Sequence, residues 1–316
     1  MFNKFYKSFL MLFIIVFGFN NLVFAEDFDK DKWTVTESYD QNETIFEDFD
    51  KGYWFYESDD LRIEIKRYED KDYKLIWHEA DIKILNDKQS FKPYAANPER
   101  IGKGFKYAEE IARTNKLVFA INDDQFGHRV YNHVTIGHVV RDGVVMSNKT
   151  YRKNVKSLPN LDTMTITDDG EMKVFKHNEY TAEELLAMGY KNVYCFGPII
   201  LRDGEINPIF ETNYRLQEAR STIGMIEPNH FVVISCEGRR EVCRGASLMW
   251  VAKRYKELGA TQAFNFDGGG TTSLVFMGTK LSFFNPTGVV RKDRALSGLV
   301  GIGYSEKVKK WEGVGK

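Results

Sequence analysis

The sequence has few cysteines, little proline and almost no net charge. Its 316 residues include three cysteines and seven prolines, and the formal net charge is −1. Cys195, Cys236 and Cys243 form no CxxC pair and no Cys/His metal spacing, so they predict no zinc site. Cys236 and Cys243 could bridge a short loop, or all three could be buried thiols. The balanced charge argues against a nucleic-acid-binding protein, which needs a basic face.

Long apolar runs are also absent, except at the N-terminus. Lys4 and Lys7 precede an apolar run over residues 9–19, and small residues lead to Ala25 before an acidic stretch. This order is typical of a secretory signal peptide over residues 1–25, because the run is short for a membrane span. We expect cleavage after Ala25, no integral membrane span in the mature chain, and a secreted or cell-envelope protein.

The sequence contains enough apolar material for a large core. It is 43% apolar and 14% aromatic, which excludes global disorder. Residues 26–58 are acidic and aromatic without a clear period, and we expect them to form an N-terminal extension that packs on the domain. We predict one large domain over residues 59–305 and a polar tail over residues 306–316.

Alternation and hairpin signals predict a sheet-rich fold. Apolar and polar residues alternate over residues 61–66, which predicts a half-buried strand, and residues 74–85 look like its partner. Asp-Gly lies between apolar runs at Asp142-Gly143, Asp169-Gly170 and Asp203-Gly204, and each pair predicts a hairpin.

Helices are few. We expect one over residues 107–114, one that begins at the capping box Thr181–Glu184 and ends at Gly189, and one over residues 246–258. These elements predict an α+β fold: a mixed, hairpin-rich β-sheet with a few packed helices in a single large domain.

The most distinctive stretch is residues 263–275, AFNFDGGGTTSLV. It reads as a buried strand that ends at Asp267 and is followed by Gly268, Gly269, Gly270 and the hydroxyl of Thr271. Glycines let the backbone approach a ligand closely, and successive N–H groups in such a turn form an anion-binding concavity. A tight turn capped by the aspartate is the alternative. The pattern is neither a Walker loop nor a dinucleotide fingerprint.

Other polar residues also follow predicted strands. Asn122 with Asp124, Asn265 with Asp267, and Glu237 each lie at the end of an apolar run, where sheets tend to place functional sites. Three carboxylates suit acid–base chemistry on a sugar, or a hard-metal site. Taken singly, Asp124 and Glu237 also fit a loop-capping role.

Two arginines and one histidine are further candidates. Arg220 and Arg294 each precede an apolar strand, and their guanidinium groups could bind phosphate or form ion pairs with the acids. His128, His133 and His138 recur every five residues, but strand geometry places His133 and His138 on opposite faces, which argues against a three-histidine zinc site. His138 alone remains a candidate for a cleft.

Several of these segments, taken in order, resemble the phosphodiester glycosidase family, the relatives of N-acetylglucosamine-1-phosphodiester α-N-acetylglucosaminidase. Residues 263–275 resemble the family's Asn-Leu-Asp-Gly-Gly-Gly-Ser-Ser motif, and residues 120–126 are similar to its Ala-Ile-Asn-Gly-Asp-x-Phe. Residues 220–224 and 237–239 resemble its Arg-Thr-Ala-Ile-Gly and Asp-Gly-Arg, and Asn285-Pro286 with Arg294 resemble its C-terminal segment. The likeness runs from about residue 60 to residue 304.

This chain departs from the family at three points. Asp123 replaces the usual glycine, Glu237 replaces aspartate, and Thr271-Thr272 replaces Ser-Ser. The first change concerns the shape of the loop that follows Asn122. The substrate can therefore differ from the one best known for the family.

The resemblance implies an exported glycosidase that cleaves an N-acetylglucosamine-1-phosphodiester-like bond in a phosphorylated glycan or sugar-phosphate polymer, without a cofactor. Asp267 is then the nucleophile or base, and Asp124 or Glu237 is the second carboxylate. The remaining candidates would bind the substrate. The phosphate would be bound by Arg220 and Arg294, helped by backbone N–H groups of Gly268, Gly269 and Gly270. The sugar hydroxyls would be oriented by Asn122 and Asn265, and Thr271 and His138 are further substrate-binding candidates. Two alternatives are a non-catalytic polysaccharide-binding envelope protein and a metal-dependent phosphodiesterase that uses the three carboxylates.

Overall fold

Strands in three antiparallel sheets make up most of the framework. We describe a computed structural model of the chain over residues 42–86, 89–100, 104–133, 136–149, 161–177, 179–282 and 294–310. The expected signal peptide, residues 26–41 of the expected extension and the Asn285-Pro286 segment lie outside these residues.

The largest sheet has nine strands. Their spatial order is β1 (Thr44–Asp48), β2 (Tyr53–Glu57), β3 (Leu61–Asp70), β4 (Leu75–Ile84), β15 (His230–Cys236), β14 (Arg220–Glu227), β16 (Gln262–Asn265), β12 (Ile199–Arg202) and β13 (Glu205–Ile206).

Two five-stranded sheets complete the framework. The first has the order β10 (Met172–Phe175), β9 (Asp162–Ile166), β11 (Val193–Phe196), β7 (Gly137–Arg141) and β8 (Val144–Lys149). The second has the order β18 (Thr279–Lys280), β17 (Leu274–Phe276), β6 (Leu117–Asn122), β19 (Gly298–Tyr304) and β5 (Lys92–Ala95). Four α-helices lie within the described residues: α1 (Ala108–Thr114), α2 (Phe126–Tyr131), α3 (Ala182–Ala187) and α4 (Leu248–Glu257).

The predicted hairpins are confirmed, and their turns explain the Asp-Gly pairs. In the β7–β8 and β12–β13 turns the aspartate and the glycine both have positive φ, at 48° and 78° for Asp142-Gly143 and 54° and 77° for Asp203-Gly204. Turns of this type match the twist of the flanking strands. The β3–β4 pair is also confirmed, with Leu61 opposite Ile84.

The three predicted helices are present as well. Thr181 and Glu184 form the expected capping box at the start of α3, which ends near Gly189. At the start of α4, the Ser247 hydroxyl accepts a hydrogen bond from the Trp250 N–H. On the inward face of α4, the buried Tyr255 hydroxyl lies 2.9 Å from Thr222 Oγ1 on β14, so the helix is bonded to the sheet that it covers.

The α+β class is confirmed, but the pairing is not mixed. Every paired strand within the described residues is antiparallel, because hairpins join most neighbours and the β15–α4–β16 connection passes over β14. Strands β1, β2 and β5 were not predicted from the sequence. β1 and β2 lie inside the expected extension and continue the nine-stranded sheet beside β3.

The main core lies on one face of the nine-stranded sheet, and a second core lies on the other face beneath α4. Cys195, Cys236 and Cys243 are free and buried, so the open question of a bridge is answered in favour of thiols. The chain passes from the nine-stranded sheet to a five-stranded sheet between β16 and β17. The Asp267 loop is this crossing, and it therefore lies where the two sheets meet.

Candidate active site

Two glycines of the Asp267 loop, Gly268 and Gly269, lie where a side chain would meet close neighbours. A Cβ atom built at Gly268 would lie 2.4 Å from the carbonyl oxygen of Ala219, a contact that no side chain tolerates. Gly269 has a φ of 62°, and a Cβ atom there would lie 3.0 Å from Nη2 of Arg239. The loop therefore packs directly on the backbone that leads into β14 and on an arginine side chain.

Asp267 is half-buried, and one hydrogen bond holds its carboxylate while another holds its backbone. The Thr271 hydroxyl donates a 2.6 Å hydrogen bond to Asp267 Oδ2, and the Asn122 side-chain amide donates a 2.8 Å bond to the Asp267 backbone carbonyl. Burial raises the pKa of Asp267 to about 6, against the opposing effects of the Thr271 hydrogen bond and the charge of Arg294. The group is therefore mostly ionised at neutral pH but easily protonated in mild acid.

A depression with two arginines, which we call the basic depression, lies on one side of Asp267. Arg220, Arg239 and Asn265 line it together with Gly268, Gly269 and the acidic Glu218, which pairs with Arg239. Backbone carbonyl oxygens of Ala246 and Leu216 accept hydrogen bonds of 3.0 and 2.8 Å from Arg220, and Glu218 accepts one of 2.5 Å from Arg239 Nε.

Asn265 presents an acceptor to this depression. Its side-chain nitrogen donates a 2.8 Å hydrogen bond to the Gly197 carbonyl oxygen, while its buried Oδ1 has no hydrogen-bond partner within the described part of the chain. A buried acceptor of this kind is costly unless a ligand or water supplies a donor. A sugar hydroxyl can supply that donor.

One expectation for the loop is corrected. The N–H of Gly269 donates a 3.0 Å hydrogen bond to the Ala219 carbonyl oxygen, so it is not available to an anion. Asn122 is also occupied, because its oxygen accepts a 3.0 Å bond from the Ser273 N–H while its nitrogen serves Asp267. Asn122 therefore positions the loop rather than contacting sugar hydroxyls.

A second depression, too narrow to hold a water molecule, lies on the other side of Asp267. Its polar lining consists of Asn122, Asp123, Gln125, His128, Asp267, Thr271 and Ser297. The carboxylate of Asp123 is half-buried and accepts a 3.0 Å hydrogen bond from the Gln125 N–H. Burial, and then repulsion from Asp124, raises the pKa of Asp123 well above its ordinary value. The ring of His128 lies 4.5 Å from that of Phe105, and burial lowers the pKa of His128.

Asp124 is directed away from these depressions. It is 0% exposed and accepts hydrogen bonds of 2.7 Å from Arg141 Nη2, 2.7 Å from the Cys195 N–H and 3.2 Å from the Phe126 N–H. Both oxygens are therefore occupied by the fold. A carboxylate bound in this way joins α2, β7 and β11 and is poorly placed to act on a substrate.

Glu237 and His138 also have partners in the fold. The buried carboxylate of Glu237 forms an ion pair with Arg240. His138 Nδ1 lies 2.9 Å from Asn148 Oδ1, on the neighbouring strand of its sheet. Among the predicted residues, the structure groups Asp267 with Asn122, Arg220, Asn265, Gly268, Gly269 and Thr271, and places the charge of Arg294 near it. It does not bring Asp124, Glu237 or His138 to them.

Sequence reasoning missed Asp123 and Arg239 as members of the site. Asp123 stands where the family has glycine, and that departure was the available signal. The left-handed φ of 61° at Gln125 turns the chain into α2 directly after the two carboxylates. Arg239 has a φ of 56°, and no feature of the sequence predicts this left-handed conformation.

No group of three or more His, Cys, Asp or Glu side chains within the described ranges is arranged to hold a metal ion. The helices within those ranges are also too short or too polar to span a membrane.

Known proteins share this architecture. The catalytic domain of zebrafish N-acetylglucosamine-1-phosphodiester α-N-acetylglucosaminidase, solved in a form auto-inhibited by its pro-peptide, superposes with a TM-score of 0.60 at 20% identity, covering 78% of this chain and 84% of that one. A hypothetical protein from Synechocystis superposes with a TM-score of 0.51 at 15% identity, covering 78% and 62%. At these identities the likeness concerns the fold.

Sequence comparison gives a more direct assignment. The uncharacterized SPbeta prophage-derived protein YomE of Bacillus subtilis is 26% identical over 171 residues, which is 53% of this chain but only 26% of YomE, so the chain matches about a quarter of that protein. The sequence profile of the phosphodiester glycosidase family matches residues 115–302, which contain both the Asp123 and Asp267 segments. The chain belongs to the phosphodiester glycosidase family.

Proposed function

We propose that this protein is an exported hydrolase that cleaves the bond between the anomeric carbon of a sugar and a phosphodiester oxygen. The observation that supports this most is the setting of Asp267. Its half-buried carboxylate lies between a depression lined by Arg220 and Arg239 and a depression lined by Asp123. The two arginines suit the anionic leaving group, and we place the sugar ring on the Asp123 side.

Asp267 serves as the nucleophile or as the base that activates water. Either role requires the ionised carboxylate, and a pKa of about 6 keeps it ionised at neutral pH. Thr271 fixes the orientation of the carboxylate through Oδ2. The other oxygen, Oδ1, is the atom that we assign to the reaction.

Arg220 and Arg239 hold the phosphate. The leaving phosphate is a weak base, so it needs less proton donation than the alkoxide released in ordinary glycoside hydrolysis. Cationic groups that are already oriented stabilise the charge that develops on its oxygen, and Glu218 and backbone carbonyl groups orient these two arginines. Arg294 adds positive charge near Asp267.

Asp123 is our candidate for the second carboxylate, in place of Asp124 and Glu237. It lines the same depression as Asp267, and its raised pKa suits a group that carries a proton near neutral pH. A protonated Asp123 can donate to a substrate oxygen. Asp124 and Glu237 are neutralised by arginines within the fold.

The substrate class follows from the family and from the relative of known activity. We propose an N-acetylglucosamine-1-phosphodiester-like group within an envelope or extracellular glycan, because the zebrafish structure with this fold carries that activity in its name. The basic and apolar pattern of residues 1–25 supports export.

Incubation of the protein with UDP-N-acetylglucosamine, with and without a chelator, tests the proposal. We expect free sugar and the phosphate ester in both conditions, and loss of turnover in Asp267→Asn. Asp203→Asn, which removes a turn aspartate outside both depressions, is the matched control. Release of sugar-1-phosphate, abolished by chelator, would instead indicate a metal-dependent phosphodiesterase. Glycan binding without turnover, unchanged in Asp267→Asn, would indicate a polysaccharide-binding protein.

A further inference from the structure

We propose that a cavity beside Asp123 is a subsite for a positively charged ammonium group on the sugar side of the scissile bond. The Tyr94 cavity, as we call it, has a volume of about 260 Å³, and its polar lining includes Tyr94, Asn115, Asp123, Asp142 and Ser297. This inference rests on the proposed function, because it specifies which glycans the same site accepts.

The position of the cavity assigns it to the sugar side. It shares Asp123 and Ser297 with the depression around Asp267, whereas the basic depression lies on the other side of Asp267 and shares neither residue. A substrate whose phosphate contacts Arg220 therefore extends its sugar toward Asp123. Any group attached to that sugar reaches the Tyr94 cavity next.

The cavity has an acidic lining. Asp142 supplies a negative charge, and Asp123 supplies a carboxyl group that can take part in a hydrogen bond. Among the described residues, the cationic side chain in this lining is Arg141, which directs its guanidinium into the fold. That guanidinium donates to the carbonyl oxygens of Val140 and Val193, at 3.1 and 2.6 Å, and to Asp124 at 2.7 Å. Its charge is balanced by Asp124, so it does not offset the charge of Asp142.

The other polar groups are acceptors or can serve as acceptors. The Ser297 hydroxyl belongs to a residue only 4% exposed and has no hydrogen-bond partner within the described ranges. Asn115 donates its amide nitrogen to the Ile111 carbonyl oxygen at 2.8 Å, which leaves the amide oxygen as an acceptor. An ammonium group carries three donors and accepts nothing, so it satisfies this lining where a phosphate or carboxylate would be repelled.

Tyr94 adds an aromatic surface. Its side chain is half-buried on β5, and burial, and then the charge of Asp142, raises its pKa, which is consistent with Asp142 lying close to the ring. A cation over an aromatic face gains electrostatic attraction, more so when partly desolvated. An acidic wall with an aromatic ring and a buried free acceptor is a typical recognition site for an amine.

Backbone packing keeps Asp123 at the edge of the cavity. A Cβ atom built at Gly298 would lie 2.6 Å from Asp123 Oδ2 and 3.1 Å from the Tyr94 carbonyl oxygen. The glycine on β19 thus leaves room for the carboxylate that replaces the glycine usual in the family. Ser297 lies immediately before this strand.

Two substrates supply such an amine: a sugar whose own amine is not acetylated, or a glycan in which the next residue carries the amine. We compare UDP-glucosamine with UDP-N-acetylglucosamine near neutral pH. We also compare an N-acetylglucosamine-1-phosphodiester extended by glucosamine with its N-acetylated form. The inference predicts at least about tenfold higher kcat/KM for the charged member of one pair, which corresponds to about 1.4 kcal/mol. The pair that responds identifies the source of the amine.

The variant Asp142→Asn tests the lining directly. Asparagine tolerates the left-handed conformation of this turn, so the fold is retained while the charge is lost. We expect the ratio of kcat/KM for the charged substrate to kcat/KM for its neutral form to fall several-fold in Asp142→Asn and in Tyr94→Leu. The control Asp203→Asn, which removes the same charge from the same type of turn, keeps the wild-type preference.

A binding measurement separates this inference from the proposed function. Calorimetry with glucosamine and with N-acetylglucosamine needs no turnover, and we expect tighter binding of glucosamine, weakened by Asp142→Asn. If no substrate is cleaved but this binding pattern holds, the proposed function fails and the ammonium site stands. If both members of each pair are cleaved equally, or if glucosamine binds no better than its acetylated form, the inference is overturned.

Discussion

The side-chain amide of Asn122 donates a 2.8 Å hydrogen bond to the backbone carbonyl of Asp267, and so joins the end of β6 to the loop that follows β16. The oxygen of the same amide accepts a 3.0 Å bond from the N–H of Ser273, where the loop enters β17. One buried side chain therefore holds both ends of the segment that carries the proposed catalytic carboxylate. The position of Asp267 depends on a residue 145 positions earlier in the chain.

Replacement of Asn122 is expected to affect both stability and activity. Asn122→Ala leaves the Asp267 carbonyl and the Ser273 N–H without their partners, which costs about 1–3 kcal/mol of unfolding free energy. It also releases the loop, so kcat/KM falls. Asn132→Ala, which removes an exposed amide bonded to the His128 carbonyl, should change neither quantity. Urea unfolding and steady-state kinetics on both variants check this, and wild-type activity in Asn122→Ala would contradict it.

The activity should depend on the ionisation of Asp267. Because the pKa of Asp267 is about 6, kcat/KM is expected to fall about tenfold per pH unit below that value. The Thr271 hydrogen bond lowers this pKa, so Thr271→Val should move the acidic limb to higher pH, whereas Thr271→Ser should keep it in place. A pH–rate profile of the three proteins measures the shift. Superimposable acidic limbs for Thr271→Val and wild type would refute the assignment.

Ionised Asp267 should also lower the free energy of unfolding. Its pKa is raised from 3.8 to about 6 on folding, so the folded state holds the proton more tightly than the unfolded state does. Its contribution to stability is therefore greatest below about pH 4 and is lost as the pH rises through about 6. Asp267→Asn removes this dependence. We therefore expect the unfolding free energy of the variant, relative to that of wild type, to be higher at about pH 7 than at about pH 4. Denaturant unfolding curves of both proteins at the two pH values measure this change. If variant and wild type differ in unfolding free energy by the same amount at both pH values, the raised pKa of Asp267 is refuted.

The two adjacent carboxylates should respond differently to the same substitution. Asp124→Asn removes the charge that compensates the buried Arg141, so we expect a loss of about 3–5 kcal/mol in unfolding free energy. Asp123→Asn should leave the fold largely intact and lower kcat/KM, because this side chain faces the depression that contains Asp267. Thermal unfolding and kinetics on the pair separate the roles. An active, destabilised Asp123→Asn would reverse our assignment.

Local sequence patterns predicted much of the fold. The Asp-Gly turns, the capping box of α3 and the apolar face of α4 were readable because each depends on a few neighbouring residues. β2 was missed because Tyr53–Tyr56 are all buried, so the strand shows no alternation. β5 was missed because it contains Pro93, which is tolerated there since β5 is an edge strand.

Several members of the candidate site were also visible in the sequence, but Asp123 and Arg239 were not. Asp267 and its glycines follow one another, so the motif could be read directly. The choice between Asp123 and Asp124 depends on which carboxylate Arg141 binds, and Arg141 lies on a strand of another sheet. The approach of Arg239 to Gly269 likewise depends on packing between segments 30 residues apart, which no local pattern encodes.

The most direct test of the central claim is hydrolysis of UDP-N-acetylglucosamine in water enriched in oxygen-18, followed by mass spectrometry of both products. Attack at the anomeric carbon breaks the bond between that carbon and the phosphate oxygen, so the heavy oxygen appears in the free sugar and not in the phosphate ester. We predict this result for the wild-type protein, together with loss of turnover in Asp267→Asn. Heavy oxygen in the phosphate product would mean that a P–O bond is cleaved and would contradict the assignment of Asp267 to glycosidic chemistry.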